Sequence, residues 1–425
     1  MNTLLLTLGS HGDVHPFIAL GTALRRRGHQ AVIASNPYFA EQVARSGVPF
    51  EPLGERIDLR TMIEDHKVMD PNRGPLNVFR QLVLPFVADF VAWTRQLIRA
   101  HRPDLVVYHP IVVGAPWACE LEGGVPTVSV TLSPTLWGSA GDPLVMLPFH
   151  GVDPGMLASR FDRWISTWFM RLALDGGLNR IRRTLGLGPE RDHLRRHGRD
   201  ASLNLALWSP LFRPPLPGDP PNSVVTGFTW HDRDHTQEVG DGELARFLDA
   251  GEPPLLFALG STGVHAAGRF FENAAEATAA LRARALLVVG RDQPPPPNMA
   301  RDGSMLAVPY APYSAVFRRA SVVVHHGGVG TTAQALAAGR PTLITPMAHD
   351  QYDNAARVRR LGCGETLHFT KVNAKRLAAV LSTLRDQPRF AHAAAEIAPR
   401  IAGEDGATRA AEAMERQVDA RTTRR

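Results

Sequence analysis

The stretch Val324-His325-His326-Gly327-Gly328-Val329-Gly330-Thr331-Thr332-Ala333-Gln334 carries the densest chemistry in the 425-residue chain. An apolar strand, expected over Ser321–Val324, feeds a glycine-rich turn, and the turn opens a helix over Thr331–Ala338 that Gly339 closes. A helix start of this kind offers unpaired N–H donors, the positive end of a dipole and two threonine hydroxyls, which together suit a phosphate. Gly327, Gly328 and Gly330 let a diphosphate approach the backbone, and a histidine adds a donor. The same residues also read as a tight turn with a capped helix. No lysine follows the glycines, so this is not a Walker loop.

Some twenty residues on, Pro346-Met347-Ala348-His349-Asp350-Gln351-Tyr352-Asp353-Asn354 repeats the strand–turn–helix order. Asp350 and Gln351 set an acceptor beside an amide, a pairing suited to sugar hydroxyls, which both donate and accept. Asp353 reads as the cap of a helix over Asn354–Leu361. At the other end of the chain, strand Thr3–Leu8 precedes the turn Gly9-Ser10-His11-Gly12-Asp13, with Pro16 expected in the first turn of the next helix. Further strands are expected at Gln30–Ala34, Leu105–Tyr108, Thr127–Thr131, Leu255–Leu259, Leu286–Val289 and Thr342–Thr345. Strand–helix alternation predicts doubly wound parallel sheets with function at the carboxyl ends of the strands.

The length suits two domains of roughly 200 residues each. Residues 209–222, rich in proline, read as a linker between a first α/β domain (1–208) and a second (223–400), with a terminal helix in 401–425 that crosses back to the first domain. The cleft between the domains is the expected site. The regions 54–102 and 133–206 are less regular and carry Trp93, Trp137, Trp164 and Trp168. They read as packed helices or as a partly apolar acceptor pocket.

Hydrophobic and charged contents of 44% and 21% are globular values. Cys119 and Cys363 are the only cysteines, too few for a disulfide framework or a thiolate metal site. No apolar run approaches the ~18 residues of a membrane span, since LVLPFVADFVAW is broken by Pro85 and Asp89. The N-terminus lacks a basic segment and reads as a strand, so a cytoplasmic location is expected. A net charge of +6 rests almost wholly on scattered arginines without interleaved aromatics, which argues against nucleic acid. An anionic small molecule or peripheral contact with a membrane is compatible with it. The sets His11/Asp13/His15 and His325/His326/His349 do not close a four-ligand metal site.

Together the segments GSHGDVHPF, HHGGVGTT and HDQYDN resemble the family 1 glycosyltransferases of the GT-B fold, two Rossmann-like domains facing each other across a cleft. The likeness spans essentially the whole chain. AHDQYDNAARVRRLGCG and FLDAGEPPLLFALGST further resemble the bacterial rhamnosyltransferases of rhamnolipid synthesis, and antibiotic and sterol glycosyltransferases share the glycine-rich forms. The resemblance implies that His326, Gly328, Thr331 and Thr332 hold a diphosphate, with His325 sharing the task and Gly260-Ser261-Thr262 closing the site. Tyr310 falls where relatives stack a tryptophan on the base. Gln334 falls where plant relatives bind ribose through a glutamate, which leaves a dTDP donor as open as UDP.

By the same resemblance Asp13 is the general base that takes the acceptor hydroxyl's proton, with His11 its rival. The expected reaction is an inverting, metal-independent transfer of a hexose to a hydroxyl of a hydrophobic lipid or natural product, with no cofactor beyond the nucleotide sugar. A sugar-nucleotide epimerase or hydrolase, or a non-catalytic nucleotide-sugar binder, is the alternative. Nothing in the sequence fixes the oligomeric state.

Overall fold

The computed structural model describes residues 1–58, 67–70, 73–139, 141–145, 155–231, 242–291 and 293–422. Thirteen strands form two all-parallel sheets among these residues. The first holds β1 (Asn2–Leu6), β2 (Gln30–Ser35), β3 (Phe50–Pro52), β4 (Leu105–Tyr108), β5 (Thr127–Thr131), β6 (Leu203–Ala206) and β7 (Ser223–Val225), in the order β3-β2-β1-β4-β5-β6-β7. The second holds β8 (Leu255–Ala258), β9 (Ala285–Val288), β10 (Met305–Val308), β11 (Val322–His325), β12 (Thr342–Ile344) and β13 (Gly364–Thr366), in the order β10-β9-β8-β11-β12-β13. Both sheets reverse strand order beside their first strand, between β1 and β4 and between β8 and β11. A crevice opens at the carboxyl ends of such strands. Leu4 stands opposite Val32 and Val106, and Phe257 opposite Val324, which fixes the level of the turns that follow β1, β8 and β11.

The first sheet is flanked by α1 (His11–Arg26), α2 (Val87–His101), α3 (Ala115–Leu121), α4 (Gly155–Thr184) and α5 (His193–Asp200). Around the second lie α6 (Phe270–Ala280), α7 (Val329–Ala338), α8 (Gln351–Arg360), α9 (Ala374–Asp386) and α10 (Pro388–Ala402). Strands buried on both faces explain the unbroken apolar runs. On β1, Leu5 packs with Phe17 and Leu20 of α1, while Leu4 and Leu6 pack with Val87, Phe90 and Trp117 on the opposite face. The terminal helix α11 (Gly406–Thr422) lies against α1, adding Ala410, Ala411 and Met414 to the first sheet's core. Arg27 grips Glu415 with two bonds of 2.8 and 2.7 Å, fixing the end of α1 to α11. The Arg424-Arg425 tail lies outside the described residues.

Several expectations are corrected. The proline-rich stretch 209–222 is not a linker between domains: it is the crossover from β6 to β7, and β7 pairs with β6 in the first sheet. Proline punctuates chain direction, but where the next strand pairs is decided by a distant edge. Helix α1 begins at His11, which puts Pro16 inside it, because Ser10 and Asp13 close a capping box that pulls the start forward. Helix α8 begins at Gln351, so Asp353 lies in its first turn and does not cap it. The 28 residues Gly74–His101 run as consecutive helical segments and include an 18-residue window of mean hydropathy 1.3, long and apolar enough for a span by length and composition. Pro85 does not break this run, because it sits in the first turn of a short helical segment, Leu84–Phe86. Val83, Val87, Phe90, Val91 and Ile98 tie the run to the core.

The two sheets are joined by buried charge. Asp142 accepts from Arg213 Nε at 3.0 Å, and both its oxygens accept from Arg357 Nη2 at 2.9 and 3.0 Å. Arg357 also donates to Asp353 at 2.7 Å, and Asp353 receives the Val145 N–H at 3.0 Å. Arg213 further binds Asp219 and the Ser139 hydroxyl, the latter at 2.8 Å. Removing one member leaves the others uncompensated in the interior. Asp142→Ala is therefore expected to cost about 3–5 kcal/mol, read as a lower urea midpoint for unfolding.

Candidate active site

The turn between β11 and α7 takes its shape from glycine. Its N-cap, Gly328, makes no side-chain cap bond, so the first N–H groups of α7 stay open to a ligand. His326 lies between two glycines: a Cβ on Gly260 would fall 2.6 Å from its Cε1, and one on Gly328 would fall 2.5 Å from its Nε2. Gly260 also sits at φ +67°, a conformation that disfavours a side chain. Burial lowers the His326 imidazole to about 4, so at neutral pH it is uncharged and has one N–H to donate. Ser261 is exposed and Thr262 half-buried on the helical turn Gly260–Gly263, beside this ring. Tyr313, stacked on Phe317 at 4.5 Å, hydrogen-bonds the Gly260 backbone and braces that turn.

Two residues expected at the phosphate are turned away from it. Thr332 is fully buried, and its hydroxyl donates to the Gly328 carbonyl at 3.0 Å, so it secures the helix start while Thr331 remains half-buried at the opening. His325 is also fully buried, and its Nδ1 accepts the Gly327 N–H at 3.0 Å. It shapes the turn from beneath.

After β12, the chain passes through His349 at φ +59° into α8. Asp350 is half-buried at the cleft. Desolvation raises its carboxyl to about 6, hydrogen bonds from Asn354 and Ser133 partly offset this, and the charges of Asp13 and Asp353 add to the rise. Asn354 donates to both the Asp350 carboxylate (2.9 Å) and the Gly327 carbonyl (2.8 Å), tying the two turns together. Gln351 is almost completely buried and spends its Oε1 on the Met347 and Ala348 N–H groups at 2.8 and 3.2 Å. Only its Nε2 is left for a ligand. His349 reaches the first sheet's domain through Val68, whose carbonyl lies 2.9 Å from its Nε2.

From the facing domain comes Asp13, in the first turn of α1. Its Oδ2 accepts from the Ser10 N–H at 2.7 Å and the Ser10 hydroxyl at 3.0 Å. Among the described residues no bond falls on Oδ1. Its charge acts on His109, on His349 and on Asp350, which places it across the cleft from α8. A Cβ on Gly9 would lie 2.4 Å from Asp13 Oδ2, so glycine is required there. His11 packs edge-on to Phe39 at 5.1 Å, and its Nδ1 lies 3.4 Å from His15 Nε2. Burial holds both histidines below the usual imidazole range. Among the described residues, no three His, Cys, Asp or Glu side chains converge as metal ligands would.

Residues 3–118 match the glycosyltransferase family 28 N-terminal domain, and residues 296–416 the C-terminal domain of proteins like erythromycin biosynthesis protein CIII. Along its whole length the chain is 32% identical to the O-mycaminosyltylonolide 6-deoxyallosyltransferase of Streptomyces fradiae, covering 99% of that protein. The chain belongs to the family 1 glycosyltransferases of the GT-B fold. A sterol 3-beta-glucosyltransferase of Yarrowia lipolytica is 26% identical over 98% of this chain, which spans only 29% of that longer protein. In fold, this glycosyltransferase resembles the crystallised glycotransferase of kitacinnamycin (TM-score 0.74, 21% identity, 98% of this chain and 99% of that one). It also resembles the spinosyn rhamnosyltransferase SpnG complexed with thymidine diphosphate (TM-score 0.66, 18% identity, 98% and 100%).

The remaining residues of this glycosyltransferase fall as follows. Tyr310 is exposed after β10, with the Arg291 guanidinium 5.9 Å from its ring centre, and Gln334 is half-buried on α7. Of the tryptophans, Trp137 is buried and Trp93 packs at the edge of the core, whereas Trp164 and Trp168 point outward. Sequence reading passed over Asn354, Ser133, His109 and Tyr313. Only Asn354, one turn after Asp350, carried a usable local signal.

Two outcomes follow from this geometry. Gly328→Ala should lower the melting temperature of the ligand-free enzyme by several degrees, since the methyl collides with His326. The methyl of Gly330→Ala meets nothing within 4 Å and should leave it unchanged or slightly higher. Because the Asp350 carboxyl is raised in the folded state, ionising it weakens the fold as pH climbs through about 6. Asp350→Asn is expected to raise the melting temperature at pH 7.5, and the gain should shrink as pH falls below the ordinary carboxylate range, where the carboxyl becomes protonated in both states.

Proposed function

We propose that this glycosyltransferase moves a hexose from a nucleoside diphosphate sugar, dTDP-linked in preference to UDP-linked, to a hydroxyl of a hydrophobic natural product or lipid, with inversion. The observation that carries the reading is Asp13 facing His349 and Asp350 across the cleft, beside the open N-terminus of α7. In the reaction, the acceptor oxygen attacks C1 from the face opposite the diphosphate while its proton passes to the Asp13 carboxylate. The C1–O bond breaks as the new bond forms, and the nucleoside diphosphate leaves with the electron pair.

A positioned general base is worth roughly 10²–10⁴-fold. Ser10 holds the carboxylate in place through Oδ2, which frees Oδ1 for the incoming proton. The departing charge meets the α7 N–H groups, Thr331 and the neutral His326 imidazole, which act as donors without a metal ion. The Asp350 carboxylate takes hydrogen bonds from sugar hydroxyls, and Gln351 adds its Nε2. The preference for dTDP rests on Gln334, whose amide lacks the bidentate acceptor that two ribose hydroxyls favour. It is supported by the thymidine diphosphate carried by a structural neighbour. The sterol 3-beta-glucosyltransferase among the relatives supports an apolar acceptor.

Asp13→Asn is expected to lower kcat by at least ~100-fold while leaving thermal stabilisation by dTDP within about twofold of the parent. The measurement pairs a metal-free nucleotide panel (dTDP, UDP, ADP, GDP) with turnover of a dTDP-hexose and an alcohol acceptor. Unchanged turnover would remove Asp13 from the mechanism. Stabilisation by none of the four nucleotides would remove the phosphate site.

A further inference from the structure

Helix α4 presents a face that nothing among the described residues covers. Phe161, Trp164, Trp168 and Leu172 recur at three- and four-residue intervals, so they form one stripe along the helix. They are 60%, 62%, 54% and 70% exposed, and Phe169 beside them is 48% exposed. The Phe161 and Trp164 rings lie 6.0 Å apart, making the start of the stripe a continuous aromatic surface. The opposite side of the helix packs into the core through Leu174 and Leu178, so the stripe does not arise from a detached helix. Next to α4 lies the apolar run Gly74–His101: a Cβ on Gly177 would fall 3.0 Å from Leu84, and Phe86 of that run is also exposed.

Charge separates the occupants such a face can accept. α4 carries six arginines against two aspartates. Asp162 is buried and accepts from Ser166, and Asp175 is taken up by the Asp192 N–H and by Arg171. Arg160 adjoins the start of the stripe, and Arg183, eleven residues beyond Leu172, continues its line. Both are exposed, and neither pairs with a carboxylate among the described residues. A second copy docking by two-fold symmetry would set arginine-flanked aromatics against the same surface, opposing like charge with like. An anionic lipid surface supplies both complements: acyl chains for the aromatic stripe and headgroup charge for the arginines.

We propose that the outer face of α4 is a membrane-docking surface, lying in the plane of an anionic bilayer with Phe161, Trp164, Trp168 and Leu172 inserted at the headgroup boundary. Tryptophan favours that depth because its ring is apolar and its N–H polar. The surface stands apart from the catalytic groups, so it is tested without reference to turnover.

The test is flotation of the full-length protein with vesicles of phosphatidylcholine alone or with about one third phosphatidylserine. The parent and its Asp13→Asn variant should both float with the anionic vesicles and at least ~10-fold less with neutral ones. The double variant Trp164→Ser/Trp168→Ser should lose ~10-fold of that binding while keeping the parent's melting temperature and its turnover of a water-soluble alcohol. Brominated lipid should quench the parent's tryptophan emission, and Trp164→Phe/Trp168→Phe should abolish the quenching. Failure of the parent to float, or equal flotation of the double variant, would overturn the proposal. A dimer that the double variant splits, with no vesicle binding, would assign the stripe to a second copy instead.

Discussion

Asp142 is shared by two buried arginines that reach it from opposite sides, Arg213 from the β6–β7 crossover and Arg357 from α8. With the apolar seam of Trp208, Phe212, Ile344 and Val358, this cluster sets the relation of the two sheets. Burying several charges is expensive, and an apolar interface of equal volume would often be more stable. What the ions add is direction. A guanidinium that bonds Asp142 with one arm and Asp353 with another has few acceptable poses, so α8 is held in one rotation about its own axis. That same helix begins with Asp350 and Gln351. The ion cluster near its far end therefore sets how Asp350 faces Asp13, one domain away, and a site split between two domains inherits its geometry from their seam.

Local pattern exposed much of this fold. β4 and β5 fall on the expected residues because parallel strands buried on both faces must be continuously apolar. The glycine turn after β11 was equally plain, since only glycine lets His326 pack against Gly260 and Gly328. The seam was invisible for the opposite reason. Asp142, Arg213 and Arg357 are far apart in sequence, and no periodicity marks a charge as buried. The proline-rich crossover misled for a related reason: its residues forbid regular structure, yet nothing local says which sheet the next strand joins. Thr332, His325 and Gln351 illustrate a finer limit. Residue type announced a polar role near the turn correctly, but whether a side chain meets a ligand or its own backbone depends on rotamer and burial.

The electrostatics of the cleft follow from the same burial. His325 and His326 are kept neutral, so the turn proposed to face the diphosphate would rely on oriented N–H dipoles more than on fixed positive charge. Dipoles aimed at a developing charge need no reorganisation as the bond breaks, which is how such sites lower barriers. They also hold a departing dianion less tenaciously than an arginine clamp would, an advantage where product must leave each cycle.

On the other wall, desolvation raises the Asp350 carboxyl, and the charge of Asp13 adds to that rise. Hydroxyl donors placed beside Asp350 favour its ionised form. In the proposed reaction a hexose would offer several to Asp350, and the acceptor alcohol would offer its own to Asp13. Under the proposed function, the sugar would thus lower the cost of ionising Asp350 as it binds, and donor affinity would gain as the carboxylate forms.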